Sequence, residues 1–264
     1  MKNYAEVIDA YDKGRSYISP FRKVRATSAT YWADLSYGAG TPIANYYAST
    51  PLVQAELPYN EGIFHGGGVD KYLHKTMLQI NTVSAFPSEF TLCDYISYIP
   101  FIDGDSTDEQ TFTTHSLPRY VDGKGVMCIL VSQGSGTASA NMTLKYKNQD
   151  GVSKSAVTLV DGTASAGYLP HYRSEYLQLA QGDYGIREIE SVQFASSVGG
   201  IYAIVFVRPL AILQAQDTTT PTEKDYFIDG MSMQQVSKDA YLNFLCKPIT
   251  AYTMTVQGRL DFIW

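Results

Sequence analysis

The chain is short of the residues that usually carry catalysis or cross-linking. Three cysteines in 264 residues (Cys93, Cys128, Cys246) are far apart and odd in number, and no CxxC pair occurs. That excludes a disulfide framework and a cysteine-based zinc site, and leaves buried thiols packing as small hydrophobes. Charged residues make up only 17% against 45% hydrophobic, so intrinsic disorder is excluded and a sizeable core is available. The four histidines, His65, His74, His115 and His171, form no HxH or HxxxH pair. No GxSxG elbow, no GxxxxGK[ST] loop and no internal repeat occurs. The N-terminus lacks an apolar signal core and no stretch reaches the length of a membrane span, so the reading is a soluble, unexported chain with no membrane partner.

What is present is aromatic and β-forming. There are 21 tyrosines, residues that bury a large ring while keeping a wet hydroxyl, suited to sheet faces and protein interfaces. The strongest strand signal is IYAIVFVRPLAIL at 201–213, apolar at odd and even positions alike, with Gly199 and Gly200 before it and Pro209 inside it. A half-buried strand alternates. This one requires cover on both faces, with the second cover supplied by the N-terminal segment, a helix or another subunit.

Residues 3–13 predict a short helix. Asn3 caps it, Gly14 stops it, and Tyr4, Val7, Ile8 and Tyr11 recur at helical spacing as its packing residues. From Arg15 to about Asp70 neither period is sustained; Pro20, Pro42, Pro51 and Pro58 interrupt a segment rich in aromatic residues. The reading is an extended arm that anchors side chains on a surface. Strand signals begin after residue 75, at Met77–Val83, Phe90–Ile102 and Val126–Val131. A hairpin follows: Ala140, Met142, Leu144 and Tyr146 alternate outbound, 148–151 turns, and Val157 and Leu159 alternate on the return. Ile186–Phe194 is less regular: Ile186, Ile189 and Val192 fall three apart, which implies a bulge or a short helical turn. Gln234–Phe244 reads as a short helix, and Tyr252 to Trp264 as a final strand with Gly258 its only gap. Together these predict an all-β fold, an antiparallel β-sandwich, jelly-roll-like, with an extended N-terminal arm carrying a short helix. The expected division is 1–75 for the helix and docking arm and 76–264 for the β-sandwich domain. Deletion of residues 1–30 is then expected to leave the β domain folded.

Charge is uneven. Residues 1–30 hold six basic residues (Lys2, Lys13, Arg15, Arg22, Lys23, Arg25) and three acids (Glu6, Asp9, Asp12), so +3 of the formal −6, leaving −9 elsewhere. The candidate interface residues are Tyr4, Val7, Ile8, Tyr11, Arg22, Lys23, Arg25, Tyr31, Trp32, Tyr46 and Tyr47. Stacking on nucleic acid needs aromatics interleaved with cations, and residues 31–60 contain no Lys or Arg. Nucleic acid is therefore not an expected partner. Asp103, Asp105, Asp108 and Glu109 fall in one loop, but Asp108 stands where an EF-hand has glycine and Thr114 where it has glutamate. That loop reads as solvated, with an irregular cation site or a glycosidase pair as the sharper alternatives. No catalytic residue, metal site or cofactor is expected. GGG at 66–68 reads as a bend.

Three phrases bring in a resemblance: TPIANYYASTPL at 41–52, GIFHGGG at 62–68, and LAQGDYGIREIESVQF at 179–194 followed by GGIYAIVFVRPLA at 199–211. They resemble virion structural proteins of tailed bacteriophages. The resemblance implies a non-enzymatic capsid decoration (cement) or minor capsid protein, located in the virion and assembled in the host cytoplasm. Its implied partners are the major capsid protein or other virion proteins, and copies of itself, such as a trimer. The alternative is a carbohydrate- or receptor-binding module of a tail or fibre.

Overall fold

The computed structural model describes residues 3–38, 53–57, 61–82, 87–171 and 174–264. In chain order its elements are α1 (Tyr4–Asp12), β1 (Ser16–Ala26), β2 (Trp32–Asp34), β3 (Ala55–Glu56), β4 (Lys71–Ile80), β5 (Ser88–Asp103), β6 (Gln110–Thr111), β7 (Met127–Gly134) and β8 (Ser139–Asn148). They continue as β9 (Ser153–Asp161), β10 (Tyr168–Leu169), β11 (Ile186–Phe194), β12 (Ile201–Ala215), β13 (Thr222–Asp225), β14 (Gln235–Val236), β15 (Leu242–Lys247) and β16 (Thr253–Ile263). The strands form three sheets: β1-β16-β4-β13 with β14 on β4; β10-β2-β15-β5-β12-β7 with β3 on β5; and β6-β11-β8-β9. Every ladder between these strands is antiparallel. The fold is an all-β, sandwich-like arrangement with one short N-terminal helix.

In the seven-stranded sheet β12 lies between β5 and β7, and β10 at the far edge comes back to β7, Gly167 N–H donating to Ser132 O at 2.8 Å. Tyr202, Ile204 and Phe206 join a core with Met142 and Leu144 of β8 and Ile189 and Val192 of β11. Ala203, Val205 and Val207 point to a second core with Trp32, Leu57, Tyr95 and Leu245. Beyond register shifts at Phe206/Val207 and Pro209/Ala211, Leu210 and Leu213 enter a third core, against Leu78, Val256 and Phe262 of the five-stranded sheet. From Tyr202 to Val207 both faces of β12 are thus covered from within the chain, with Trp32 and Leu57 of the segment read as an arm in the second core, whereas Ile212 farther along is 50% exposed. Pro209 stands just past Val207, the last residue of β12 paired to β7, and beside the register shift at Pro209/Ala211 in the pairing with β5.

β5 makes the same passage. Phe90 and Leu92 belong to the third core and Ile96, Ile99 and Ile102 to the first. Asp94 lies between them, fully buried. Arg119 grips it with two bonds, Nε to Oδ2 at 2.7 Å and a terminal nitrogen to Oδ1 at 2.5 Å. The Tyr120 hydroxyl and the Tyr241 N–H also donate to this carboxylate, at 3.1 Å each. Arg208, paired with Asp94 across the ladder, lies 4.2 Å from the Tyr120 ring centre.

Residues 16–34 belong to the sheets, which corrects the picture of an extended arm. β1 pairs with β16 from Ser16↔Ile263 to Ala26↔Thr253, and β2 pairs with β15 and β10. The boundary expected at 75/76 falls inside β4. The reason β1 was illegible is that its inward positions are Ser19, Phe21, Lys23 and Arg25, while Ile18, Pro20 and Arg22 face out. Its apolar alternation is inverted.

Other differences have equally local causes. The hairpin turns at 148–151 as predicted, with Asn148 Oδ1 accepting from the N–H groups of Asp150 and Val152. On the return, however, Ala156, Thr158 and Val160 face the core and Val157 is exposed. The register Met142↔Thr158 and Leu144↔Ala156 forces this, because directly opposed residues share a face. Gln234–Phe244 is not helical: Leu242 and Phe244 enter one core and Tyr241 and Leu245 another, so β15 is a doubly buried strand. The four-residue spacing of Val236, Ala240 and Phe244 imitated a helix. β11 carries its expected bulges, at Ile186/Glu188 and Ile189/Ser191. Trp264 is half-buried, with the Lys71 ammonium 5.8 Å from its ring.

Two predictions follow from this architecture. Removing residues 1–12 leaves the body folded, whereas removing 1–30 strips β1 from β16 and abolishes soluble expression; circular dichroism of the soluble fraction distinguishes them. Arg119→Met strands the Asp94 carboxylate in the interior and destabilises by about 3–5 kcal/mol, and the Asp94→Asn/Arg119→Met double variant recovers part of it, read by urea unfolding.

Candidate assembly surface

The structure divides the candidate interface residues into two sets. Tyr4, Ile8, Tyr11 and Arg22 are exposed; Val7, Lys23, Arg25 and Trp32 are buried within the chain, and Tyr31 is half-buried. Tyr46 and Tyr47 lie outside the described residues.

The outer set is built by α1. Asn3 and Glu6 form a reciprocal capping box, and Gly14 leaves the helix at φ +66°. Its buried face is Val7 and Ala10, not the four apolar residues expected from spacing. Tyr4 is 67% exposed and Ile8 43%. The helix is held at two points: the Tyr4 ring stands 5.8 Å from Phe227, and the Tyr11 hydroxyl meets His74 Nδ1 at 2.7 Å. His74 Nε2 lies 3.6 Å from Asp225, which also faces Lys75. Burial pushes the Tyr11 hydroxyl above its ordinary value, reinforced by Asp261 and Asp225. Asp261 is itself raised by burial, against the pull of Arg259.

Beside α1 the outer face of the five-stranded sheet holds a groove of 410 Å³. Ile18, Pro20 and Arg22 of β1, Met77 and Gln79 of β4, and Gln257 and Arg259 of β16 line it. A second groove of 400 Å³ runs beside the turn after β13, where Met231 faces Ile212, Lys224 and Tyr226. Ile228, in that turn, is 79% exposed. Sequence reasoning missed Ile18, Met77, Ile228 and Met231. The signal for the last two was available in FIDGM at 227–231, an apolar cluster at a turn.

The inner set is structural. Arg25 lies 4.6 Å from the Tyr37 ring centre and 4.7 Å from that of Tyr168, and donates to the Ala166 carbonyl at 2.9 Å. The Tyr31 hydroxyl donates to Asp161 Oδ2 at 2.6 Å. Trp32 is covered in the second core, so it offers no stacking platform. Lys23 is the outlier. Its ammonium is fully buried with no hydrogen-bond partner among the described residues, and desolvation pushes its pKa down to about 8 against the opposing field of Asp34.

The acidic loop is satisfied by protein donors. Asp103 accepts from the Asp105 N–H, Asp105 from Ser197 Oγ, and Glu109 from Lys145 Nζ and Ser191 Oγ. Among the described residues no three His, Cys, Asp or Glu side chains come close enough to hold a metal ion. The bend at 66–68 is three glycines with positive φ, and Lys71 Nζ donates to the carbonyls of Gly67 and Val69 at 3.0 Å each. All three cysteines are free and buried, their thiols pushed up by desolvation.

No protein-family model matches the chain, and no curated protein matches it. Among solved structures, a structure of the infectious bursal disease virus Gt strain is similar at 6% identity and a TM-score of 0.20, covering 94% of this chain and 81% of the other. The VP2 subviral particle of the same virus is similar at 7% identity and a TM-score of 0.18, covering 94% and 80%. Scores of this size do not establish a shared fold, and no assignment rests on them.

Lys23 generates a pH test. Below about pH 8 both states carry its proton and the folded chain bears the full desolvation cost. Between about 8 and 10.5 the unfolded chain holds a proton the folded chain has released, so stability rises with pH. Urea unfolding at pH 7 and 9, below tyrosine ionisation, should show a gain of about 1 kcal/mol in the parent chain that Lys23→Met loses. Lys23→Met is also the more stable at pH 7.

Proposed function

We propose that the chain is a non-enzymatic structural subunit of a virus particle, of the phage capsid decoration or minor capsid type, that binds neighbouring virion proteins through the face carrying α1. The observation that carries this reading is the set of exposed apolar side chains on α1 and in the turn after β13: Tyr4 and Ile8 on the helix, Ile228 in the turn, and the Tyr4 ring 5.8 Å from Phe227 joining the two. Lone exposed apolar residues are ordinary; a contiguous set on a body whose interior is closed marks a contact surface. Buried Asp94, Asp103, Asp105 and Glu109 of the acidic loop, and His65, His74 and His171 are engaged in bonds that hold the fold. The phrases at 62–68 and 179–211 that resemble phage virion proteins supply the particle context.

The tail or fibre glycan-binding alternative loses its best platform, because Trp32 is covered and the Tyr31 hydroxyl is committed to Asp161.

The test is cryo-electron microscopy of particles containing the chain. Density for this all-β body on the head, with the α1 face against a neighbouring protein, is the expected result. Location on a tail fibre, or absence from purified particles, would overturn the assignment.

A further inference from the structure

We propose that the groove beside β1 receives helix α1 of a second copy of this chain, so that two copies pair by exchanging helices. The proposal deepens the assembly reading above and rests on it only in treating this face as a contact surface.

The first observation is a match of spacing and chemistry. Tyr4, Ile8 and Asp12 follow one another at i, i+4 and i+8, a single line along α1, and all three are exposed. At about 1.5 Å per residue that line is about 12 Å long. Ile18, Pro20 and Arg22 alternate outward along β1 and are likewise exposed. At about 3.3 Å per residue they span about 13 Å. Both lines read apolar, apolar, charged, and the charges are opposite. Laid side by side, Tyr4 and Ile8 cover Ile18 and Pro20 while Asp12 meets Arg22.

The second observation concerns which charges remain free. Within α1, Asp9 is engaged by Lys13 and Arg15, and the Glu6 carboxylate accepts from the Asn3 N–H. Asp12 has no ion-pair partner among the described residues, and neither does Arg22. In the groove Arg259 is drawn only partly toward Asp261, at 3.3 Å. One acid on the helix line, Asp12, and one base in the groove, Arg22, are therefore left unmatched on the same chain. They cannot satisfy each other within it, because Val7 and Ala10 fix α1 with its Tyr4–Ile8–Asp12 line turned away from the sheet.

Position favours a symmetric exchange. Tyr11 touches His74 of β4 and lies within the field of Arg259, so helix and groove are neighbours on one face. A two-fold axis between them puts each helix into the other copy's groove and forms both contacts at once, as an isologous pair does. The apolar centre with a charged rim is the usual composition of such a contact.

The experiment is sedimentation velocity of the full chain over a concentration series at low and high salt. The expected result is a monomer–dimer equilibrium that weakens with salt. Asp12→Lys and Arg22→Glu each weaken it about tenfold, the combined swap recovers the parent affinity, and Ile8→Glu abolishes pairing. These positions are exposed, so an unchanged thermal midpoint shows that each variant is folded. A parent chain that stays monomeric throughout, or a double swap as weak as its two single changes combined, would falsify the pairing. The two proposals fail separately: a dimer absent from particles overturns the virion assignment alone, and a particle-bound chain monomeric in solution overturns the helix exchange alone.

Discussion

The structure depends on how two long strands can be buried on both faces. β5 and β12 run 16 and 15 residues side by side through the seven-stranded sheet, and neither meets water along most of its length. One outer sheet covers one end of their shared surface and another covers the other end. The seam between these two cores falls at Asp94. A carboxylate there would be intolerable alone, since burying an unpaired charge costs several kcal/mol, on the order of a domain's whole stability. Arg119, Tyr120 and the Tyr241 N–H convert it into a tie between β5, the 117–120 loop and β15. The ion pair contributes little net energy beyond what an apolar substitute would give. Its effect is on register: a strand slipped by two residues would leave the charge without its partners.

That seam also explains what the sequence could and could not reveal. β8 and its turn were legible because one face of the strand is solvated, so alternation survives, and the turn residues are standard; the return strand β9 misled because its inward positions include Ala156 and Thr158. β12 was legible as doubly covered because every position from Ile201 to Val207 is apolar or aromatic. β15 and β1 were not. β15 is short and buried on both sides, so its spacing fits a helix as well as a strand. β1 turns Lys23 and Arg25 inward because the interior it faces is partly polar, with Asp34 nearby and the Tyr37 and Tyr168 rings accepting Arg25. No periodicity reports on that. The identity of the cover decides which residues can point in, and part of that cover, Tyr168, comes from more than a hundred residues away in sequence.

The candidate surface was half legible for the same reason. α1 announced itself by its cap and its glycine stop, but the spacing of Tyr4, Val7, Ile8 and Tyr11 could not say which side packs. The small residue Ala10 decided that: beside Val7 it allows the helix to approach closely, and Tyr4 and Ile8 are left outside. Trp32 was read as an anchor for a partner and is instead an anchor within the chain. Aromatic enrichment signals that large rings will be covered, without saying by whom.

How the sheet edges are closed narrows the ways in which copies or partners can associate. The open side of β7 is bound by the segment after β9: Gly167 N–H donates to Ser132 O, Leu177 N–H to Cys128 O, and the Leu130 N–H to His171 Nε2. That bond requires His171 neutral with Nδ1 donating to Ser174 O, and full burial pushes its pKa down to about 4. β1 carries Pro20 on its length, and the close approach of Gly38 to the Val24 carbonyl places main chain against its side. Proline and covering loops are the usual means of keeping a sheet from adding foreign strands. With the β7 edge occupied and the β1 edge obstructed, strand addition there is a poor route to assembly. Side chains on a face remain, and the face that combines apolar groups with unmatched charge is the one shared by α1 and the β1 groove.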